Sequence, residues 1–530
     1  MASLRRYRSC RNLESYMQPF RVANSVRTAP VLFDAGVPIL ITAGLWSTSI
    51  NEISLPQIIA AFILCWTPWA AYGKWGRGTR EGIPLFSVVS AVFWVDYAIP
   101  LFWLRHDVKL ITGQHQLSEG AITEALFLAV LGVAALGAGM RVGDRLRFKK
   151  SFKPDIHRSP TRWHYLRLAL LGTMFLRIAV PFDALGGGGR QLLVIVESIV
   201  PSVAFVVLLR YYLRGAAIPL DKALLFGYTC VALVAAISSG WLGSVVGLVI
   251  MATFVYVYER RKLPLVAIMI GIPIVLFLQP GKEKFRQQYW REGASENYLE
   301  RFGFWLDSSW SEWGRALSSS DQDGSKYLAT RTLGRLSLLG QTANVMEATP
   351  ERVPYQYGRL YSYMFVTAVP RLFWEDKPSV NDANRWYQVA YRLTDPKSLN
   401  GVSIATGYLA ESYINFGWLG PPLVIFLLGI ILGLFDKLFL RSESGLLLNS
   451  IGVVLVPHLL QVEAQLAQYI AGFGQEIVVA LITLAPMIDL HQHERDRRLR
   501  TFIPVGTNSK EKGRPLPIGD RSKAELLHRR

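Results

Sequence analysis

The sequence predicts an all-α, multi-pass integral membrane protein with about 12 transmembrane helices, a large, partly helical extracytoplasmic loop and a re-entrant segment within that loop. Three observations lead there. Of the 530 residues, 51% are hydrophobic, and the mean hydropathy is +0.26. Apolar runs recur near the roughly 20 residues that a helix needs to cross a bilayer. Basic residues cluster in short segments between those runs, on alternate connectors, as the positive-inside bias requires.

Taken in order, the chain opens on a basic cytoplasmic tail, 1–30, whose MASLRRYRSCRNLES start has no apolar core and no small-residue cleavage site. It does not read as a cleaved signal peptide. A bundle of about nine helices follows over 31–280, with apolar runs at 31–49, 53–72, 84–104, 121–142, 164–182, 191–212, 222–239, 241–258 and 264–280. A hydrophilic loop covers 281–416. Three more runs, 417–438, 446–465 and 472–490, make up the C-terminal bundle, 417–490, and a basic tail closes the chain over 491–530.

The strongly basic connectors are KWGRGTR (74–80), RVGDRLRFKKSFK (141–153), RYYLRG (210–215), ERRK (259–262) and ERDRRLR (494–500). With twelve crossings these all fall on the cytoplasmic side together with both termini, and the 281–416 loop falls outside. This distribution accounts for the net charge of +18 without a nucleic-acid partner; the lipid bilayer is the partner it implies. Cys10, Cys65 and Cys230 lie in the N-terminal tail and in two apolar runs. Neither disulfides nor a cysteine metal site is expected.

The loop has patterns of its own. Ser325 is placed to cap a helix through KYLATRTLGRLSLLGQTANVMEA, in which Arg331 and Arg335 share a face and Arg335 is flanked by leucines. Tyr355–Pro370 is apolar and aromatic but short for a crossing, so it is expected at the interface or re-entering from one side. Pro370 ends any helix there, just where Arg371, Asp376 and Lys377 arrive. In GYLAESYINFG, Tyr408, Glu411 and Asn415 are spaced to share one face of a short helix before the GWLGPP break. Aromatic residues in RFGFWLDSSWSEWGR, 301–315, fit either sugar stacking or simple interfacial anchoring. His458 lies well inside an apolar run, and a single histidine makes a poor metal site; no metal-ligand cluster and no cofactor motif is visible.

The order of Arg335, GRLYSYM, VPRLFWEDKPS and GYLAESYINFGWLG resembles the oligosaccharide repeat unit polymerases, the O-antigen polymerase-like membrane glycosyltransferases. The matching positions are Pro370, Arg371, Trp374, Lys377 and Pro378, then Glu411, Tyr413, Asn415, Phe416, Gly417 and Gly420. Clear likeness runs over about 330–435. Family members often carry an arginine in an earlier outward turn; here that turn reads ISSGWLGS, leaving Arg177 and Arg190 as substitutes.

The resemblance implies a metal-independent enzyme of the bacterial inner membrane, working at its outer face in exopolysaccharide or O-antigen assembly. Its substrates would be oligosaccharide units carried on polyprenyl (undecaprenyl) pyrophosphate, with that carrier as leaving group and no cofactor. Chain-length regulator and flippase proteins of such a pathway are the partner proteins it brings. On this reading Arg371 and Glu411 are the catalytic candidates, while Arg335, Arg359, Lys377, Trp374, Tyr408 and Asn415 bind pyrophosphate or sugar. Arg177, Arg190 and His458 are secondary candidates. Guanidinium forks suit phosphate oxygens, and preorganised cations stabilise a departing pyrophosphate. Glu411 fits a base for the acceptor hydroxyl, a ligand or arginine-orienting group, or a structural carboxylate. A ligase acting on another acceptor and a flippase or exporter are the alternative functions.

Overall fold

The computed structural model describes residues 31–76, 82–104, 106–146, 160–179, 187–240, 243–260, 262–289, 297–318, 334, 337–368, 374, 376–379, 381–399, 404–441 and 444–487. Of the expected site residues, Arg335 and Arg371 lie outside the described residues, as do the side chains of Arg177 and Arg190.

Helices dominate. In chain order they are α1 (Val31–Ser47), α2 (Leu55–Gly76), α3 (Leu85–Trp103), α4 (Glu119–Arg145), α5 (Pro160–Ala179), α6 (Gly187–Leu213), α7 (Pro219–Ser239), α8 (Gly243–Arg260), α9 (Leu265–Leu278), α10 (Lys282–Tyr289) and α11 (Tyr298–Ser318). Then come α12 (Leu339–Ala348), α13 (Tyr363–Ala368), α14 (Asp382–Ala390), α15 (Tyr408–Phe416), α16 (Gly420–Phe435), α17 (Gly445–Leu459) and α18 (Leu466–Leu484). One small antiparallel hairpin, β1 (Asp107–Leu110) and β2 (Gly113–Gln116), pairs Asp107 with Gln116 and Leu110 with Gly113.

Each of the twelve expected apolar runs overlaps a helix. Among the described residues, seven helices are long and apolar enough to cross a membrane, or eight if α9 and α10, bent by 55°, form one span. The chain is thus an all-α membrane protein. The shorter count has local causes. α17 has only 15 residues, and Leu460–Gln465 turn tightly back into α18, so the apolar run at 446–465 is shared between a helix and a turn. The helical apolar stretch that contains α16 also begins earlier than the sequence suggests, at Tyr408, and reaches Leu440. α9 carries apolar side chains on all sides, and Leu265, Val266, Met269, Ile270, Ile272 and Ile274 are exposed, as suits a helix solvated by lipid.

α4 and α16 cross with their backbones in close contact, and glycine makes it possible. A Cβ at Gly139 would overlap the Phe426 carbonyl, and at Gly143 that of Ile430; from the other side, Gly429 and Gly433 abut the carbonyls of Leu136 and Met140. Lipid tails are as apolar as leucine, so close van der Waals approach of backbones is a main attraction left between such helices. This crossing fixes the position of α15, which leads into α16.

Polar residues in the bundle are mostly pinned at its ends. Arg210, on α6, is 1% exposed. Its Nε donates to Glu259 Oε1 at 2.7 Å, and its Nη1 donates to Leu446 O, Asn449 Oδ1 and Ser450 Oγ. The guanidinium also lies 4.6 Å from the centroid of Tyr258. Arg214 meets both oxygens of Glu259, and Arg167 grips Asp221 with two bonds. At the foot of α4, Arg441 pairs with Asp144 and Lys437 donates to the carbonyls of Asp144 and Leu146.

Candidate functional site at the head of α15

The far end of α16 from Arg441 begins with a nine-residue helix buried along almost its whole length. Tyr408 to Asn415 are all buried, which the sequence pattern achieves by having almost no strongly polar residue besides Glu411. Gly407 turns the chain into this helix at φ +73, where a side chain would be strained. Its N–H donates to the Glu463 carbonyl at 2.9 Å, which joins the entry of α15 to the α17–α18 turn. At the exit, Gly417 adopts φ +60 with the Tyr355 ring packed against its α-carbon. The chain then passes through one 3-10 turn into α16.

The end carbonyls of α15, left without partners inside the helix, are met by the segment after Pro354. Gln356 N donates to Ile414 O, and Tyr357 N to Asn415 O, both at 3.0 Å. Asn415 completes the clasp: its Oδ1 accepts from Gly358 N, and its Nδ2 donates to the Glu411 carbonyl. The side chain expected to bind sugar is therefore engaged in closing a helix end.

Glu411 is fully buried. Its Oε2 accepts the N–H of Leu466 at 2.6 Å, the first residue of α18. A carboxylate is well placed there, because the unpaired amides and the dipole of a helix N-terminus favour negative charge. The other oxygen, Oε1, has no hydrogen-bond partner among the described residues, and Glu411 forms no ion pair with them. Three neighbouring groups share that condition. They are the Tyr361 hydroxyl, the Thr406 hydroxyl and both amide atoms of Gln465. Burial pushes the Tyr361 phenol well above its ordinary range, and the charge of Glu411 adds to that push. The Tyr361 hydroxyl consequently stays protonated. It lies near the Asn415 side chain without forming a well-shaped hydrogen bond to it.

Other sequence candidates fall in two groups. Tyr408 is a core residue, its ring 6.1 Å from Phe93 and edge-on to Tyr469 at 5.7 Å. His458 is held between Glu476 Oε1, at 3.2 Å from Nδ1, and the Tyr469 carbonyl, at 2.8 Å from Nε2, with Gly472 packed against its ring. That is a brace between α17 and α18. Arg359 and Trp374 are exposed, and Lys377 Nζ reaches the Val366 carbonyl at 3.4 Å. These residues lie along segments flanking α18: α13 packs on that helix, and Gln468 Nε2 donates to Asn381 Oδ1 at 2.6 Å. Cations therefore occur along the chain that borders the buried carboxylate, with Arg359 two residues before Tyr361.

Sequence reasoning missed Tyr361 and Thr406, whereas Gln465, with His458, Gln461 and Glu463 in VPHLLQVEAQ, fits in sequence either a sugar groove or a helix end near water. Tyr361 sits in the GRLYSYM stretch, but nothing in the order of residues aims one of its two tyrosines at Glu411. The partnership of Glu411 with Leu466 spans 55 residues and leaves no trace in local spacing. Asp96 lies in a π turn, Trp94–Ala98, and its backbone carbonyl accepts from Leu338 N. A π turn inside a helix shifts the residues after it round the axis, and such turns gather at functional sites.

A bundle of lipid-solvated helices with a buried, half-satisfied carboxylate at the head of one spanning stretch defines a polytopic membrane protein with a polar site at one end. Residues 191–462 match the family model of the O-antigen polysaccharide polymerase Wzy. The chain belongs to that family. The match takes in α15, the start of the α17–α18 turn and the whole Tyr355–Ser379 segment. No curated protein and no solved structure matches. Membership identifies an O-antigen repeat-unit polymerase in general terms, a glycosyltransferase-like enzyme acting on a lipid-linked oligosaccharide in a membrane.

Proposed function

We propose that this protein joins oligosaccharide repeat units held on polyprenyl pyrophosphate, transferring the growing chain to a hydroxyl of an incoming lipid-linked unit. The acceptor oxygen attacks the anomeric carbon of the donor's first sugar. The bond from that carbon to the pyrophosphate oxygen breaks, and polyprenyl pyrophosphate leaves with the electron pair. The hydroxyl proton passes to Glu411. Arg371, Arg335, Arg359 and Lys377 meet the charge of the departing pyrophosphate. In this reading those cations do what a metal would otherwise do, so activity should persist in excess chelator.

The observation that carries the reading is Glu411 itself: a fully buried carboxylate inside the family-matched region, with one oxygen anchored on α18 and the other open to a partner. Such a group is positioned yet half-used, as a general base must be. The topology that suits the reaction places both termini in the cytoplasm of a bacterial inner membrane after about twelve crossings. The 31–280 and 417–490 bundles then frame a periplasmic 281–416 segment, the basic tails 1–30 and 491–530 stay inside, and flippase and chain-length regulator proteins work alongside.

The test is reconstitution in lipid with polyprenyl-pyrophosphate oligosaccharides. A ladder of multimers from the wild-type protein, absent for Glu411→Gln and Arg371→Ala, is expected. A ladder undiminished in Glu411→Gln would remove the base assignment, and transfer only to a different acceptor would replace polymerase with ligase.

A further inference from the structure

Four side chains near the head of α15 carry polar atoms that the fold itself does not use: Glu411 Oε1, the Tyr361 hydroxyl, the Thr406 hydroxyl and the Gln465 amide. Glu411, Thr406 and Gln465 are at most 1% exposed. Hydrogen bonds bring their segments together. Gln465 immediately precedes Leu466, whose amide holds Glu411. Thr406 immediately precedes Gly407, bonded to the carbonyl of Glu463. Tyr361 lies on the short turn that follows Gly358, whose amide donates to Asn415 Oδ1, its ring centroid is 6.1 Å from that of Phe416, and Asn415 is itself bonded to the Glu411 carbonyl. Gln465 occupies the N-cap position of α18 but makes no capping bond with its side chain. Buried polar groups almost always find partners, and leaving one unmet is costly. Several unmet at one place indicate a ligand that supplies both donors and acceptors.

The chemistry of the set specifies that ligand. A carboxylate oxygen accepts, a protonated phenol donates, an amide does both, and a threonine hydroxyl does either. The carboxylate repels a phosphate group. Sugar hydroxyls, each a donor and an acceptor, fit this mixture. Resting on the polymerase reading, we propose that Glu411, Tyr361, Thr406 and Gln465 form a subsite for an uncharged, hydroxyl-bearing sugar ring of the acceptor unit, beside the cationic segment that takes the pyrophosphate. Tyr361 and Gln465 hold the ring so that one hydroxyl faces Glu411 Oε1.

The experiment measures thermal protection of the full-length protein in lipid nanodiscs by two probes. One is the free oligosaccharide repeat unit released from its lipid carrier by mild acid; the other is inorganic pyrophosphate. Tyr361→Phe and Thr406→Val nearly preserve shape, and Gln465→Leu removes the amide. Oligosaccharide should protect the wild type and bind each variant roughly tenfold more weakly, the loss of about one hydrogen bond, with pyrophosphate protection unchanged. In turnover, Tyr361→Phe should raise KM for the acceptor unit more than it lowers kcat.

Variants that melt earlier but keep the oligosaccharide affinity would make these groups structural and overturn the subsite. Absence of sugar protection in the wild type would overturn it as well, and so would weakening confined to pyrophosphate. Sugar protection that depends on Gln465 in a protein that makes no ladder would sink the polymerase reading and leave the subsite standing. A ladder with sugar binding indifferent to all three variants would do the reverse.

Discussion

Arg210 and Glu411 are both almost completely buried, at the two ends of the same bundle, yet the protein treats them oppositely. Around Arg210, charge is closed off: four acceptors and an aromatic face surround one guanidinium, and Glu259 is shared with Arg214. Around Glu411, one oxygen is anchored and the other left open, among further polar groups in the same condition. A buried ion with all its partners ties helices together; one with half its partners keeps an acceptor that the proposed mechanism can use. Burial alone would not distinguish the two.

The sharpest way to break that contrast is to neutralise Glu411 while keeping its shape. Glu411→Gln retains an acceptor for the Leu466 amide, so folding should change by less than about 1 kcal/mol, while polymer formation should fall on the order of 10²–10⁴-fold, the usual worth of a general base. A melting temperature that collapses together with activity would place Glu411 in the same class as Arg210.

Arg210→Ala is the converse. It leaves Glu259 short of a cation and strands Asn449 and Ser450, with an expected cost of about 3–5 kcal/mol in unfolding stability. Activity per folded molecule should stay near wild type. Should the variant instead fold normally and fail to polymerise, Arg210 would belong to the functional end of the comparison.

Gly433→Leu examines the scaffold between the two ends. The new side chain has no room against Met140, and forcing the helices apart should cost about 1–3 kcal/mol. Because α16 continues from α15, activity should drop with stability, which differential scanning of the detergent-solubilised protein would report alongside the ladder assay. The smallest effect belongs to His458→Gln, which keeps one of two bonds. It should cost about 1 kcal/mol and leave kcat intact, since the imidazole is a brace; loss of turnover without loss of stability would restore it as a site residue.

Much of this was legible in the residues. Apolar runs located the helices because the hydrophobic requirement of a bilayer is local and long. The spacing of Tyr408, Glu411 and Asn415 and the GWLGPP break marked out α15, since spacing and breaks are also local signals. Shared face did not mean shared role, however: Tyr408 packs in the core and Asn415 clasps a helix end, and only the folded chain distinguishes these from Glu411. The span count was less legible, because an apolar run such as 446–465 reads the same whether it is one helix or a helix and a turn.

Composition and order alone therefore determined that this chain is a helical membrane protein, that its ordered motifs resemble the O-antigen polymerase family, and where its cations fall along the chain. Tertiary structure alone decided that Glu411 docks on the first amide of α18, that Tyr361, Thr406 and Gln465 gather about it, and that Arg210 is locked away. The physical reason is range. Hydropathy and helix periodicity act over a few neighbouring residues and are written in sequence, whereas a hydrogen bond between residues 55 apart exists only once α4 and α16 have closed on their glycines and brought both segments to one place.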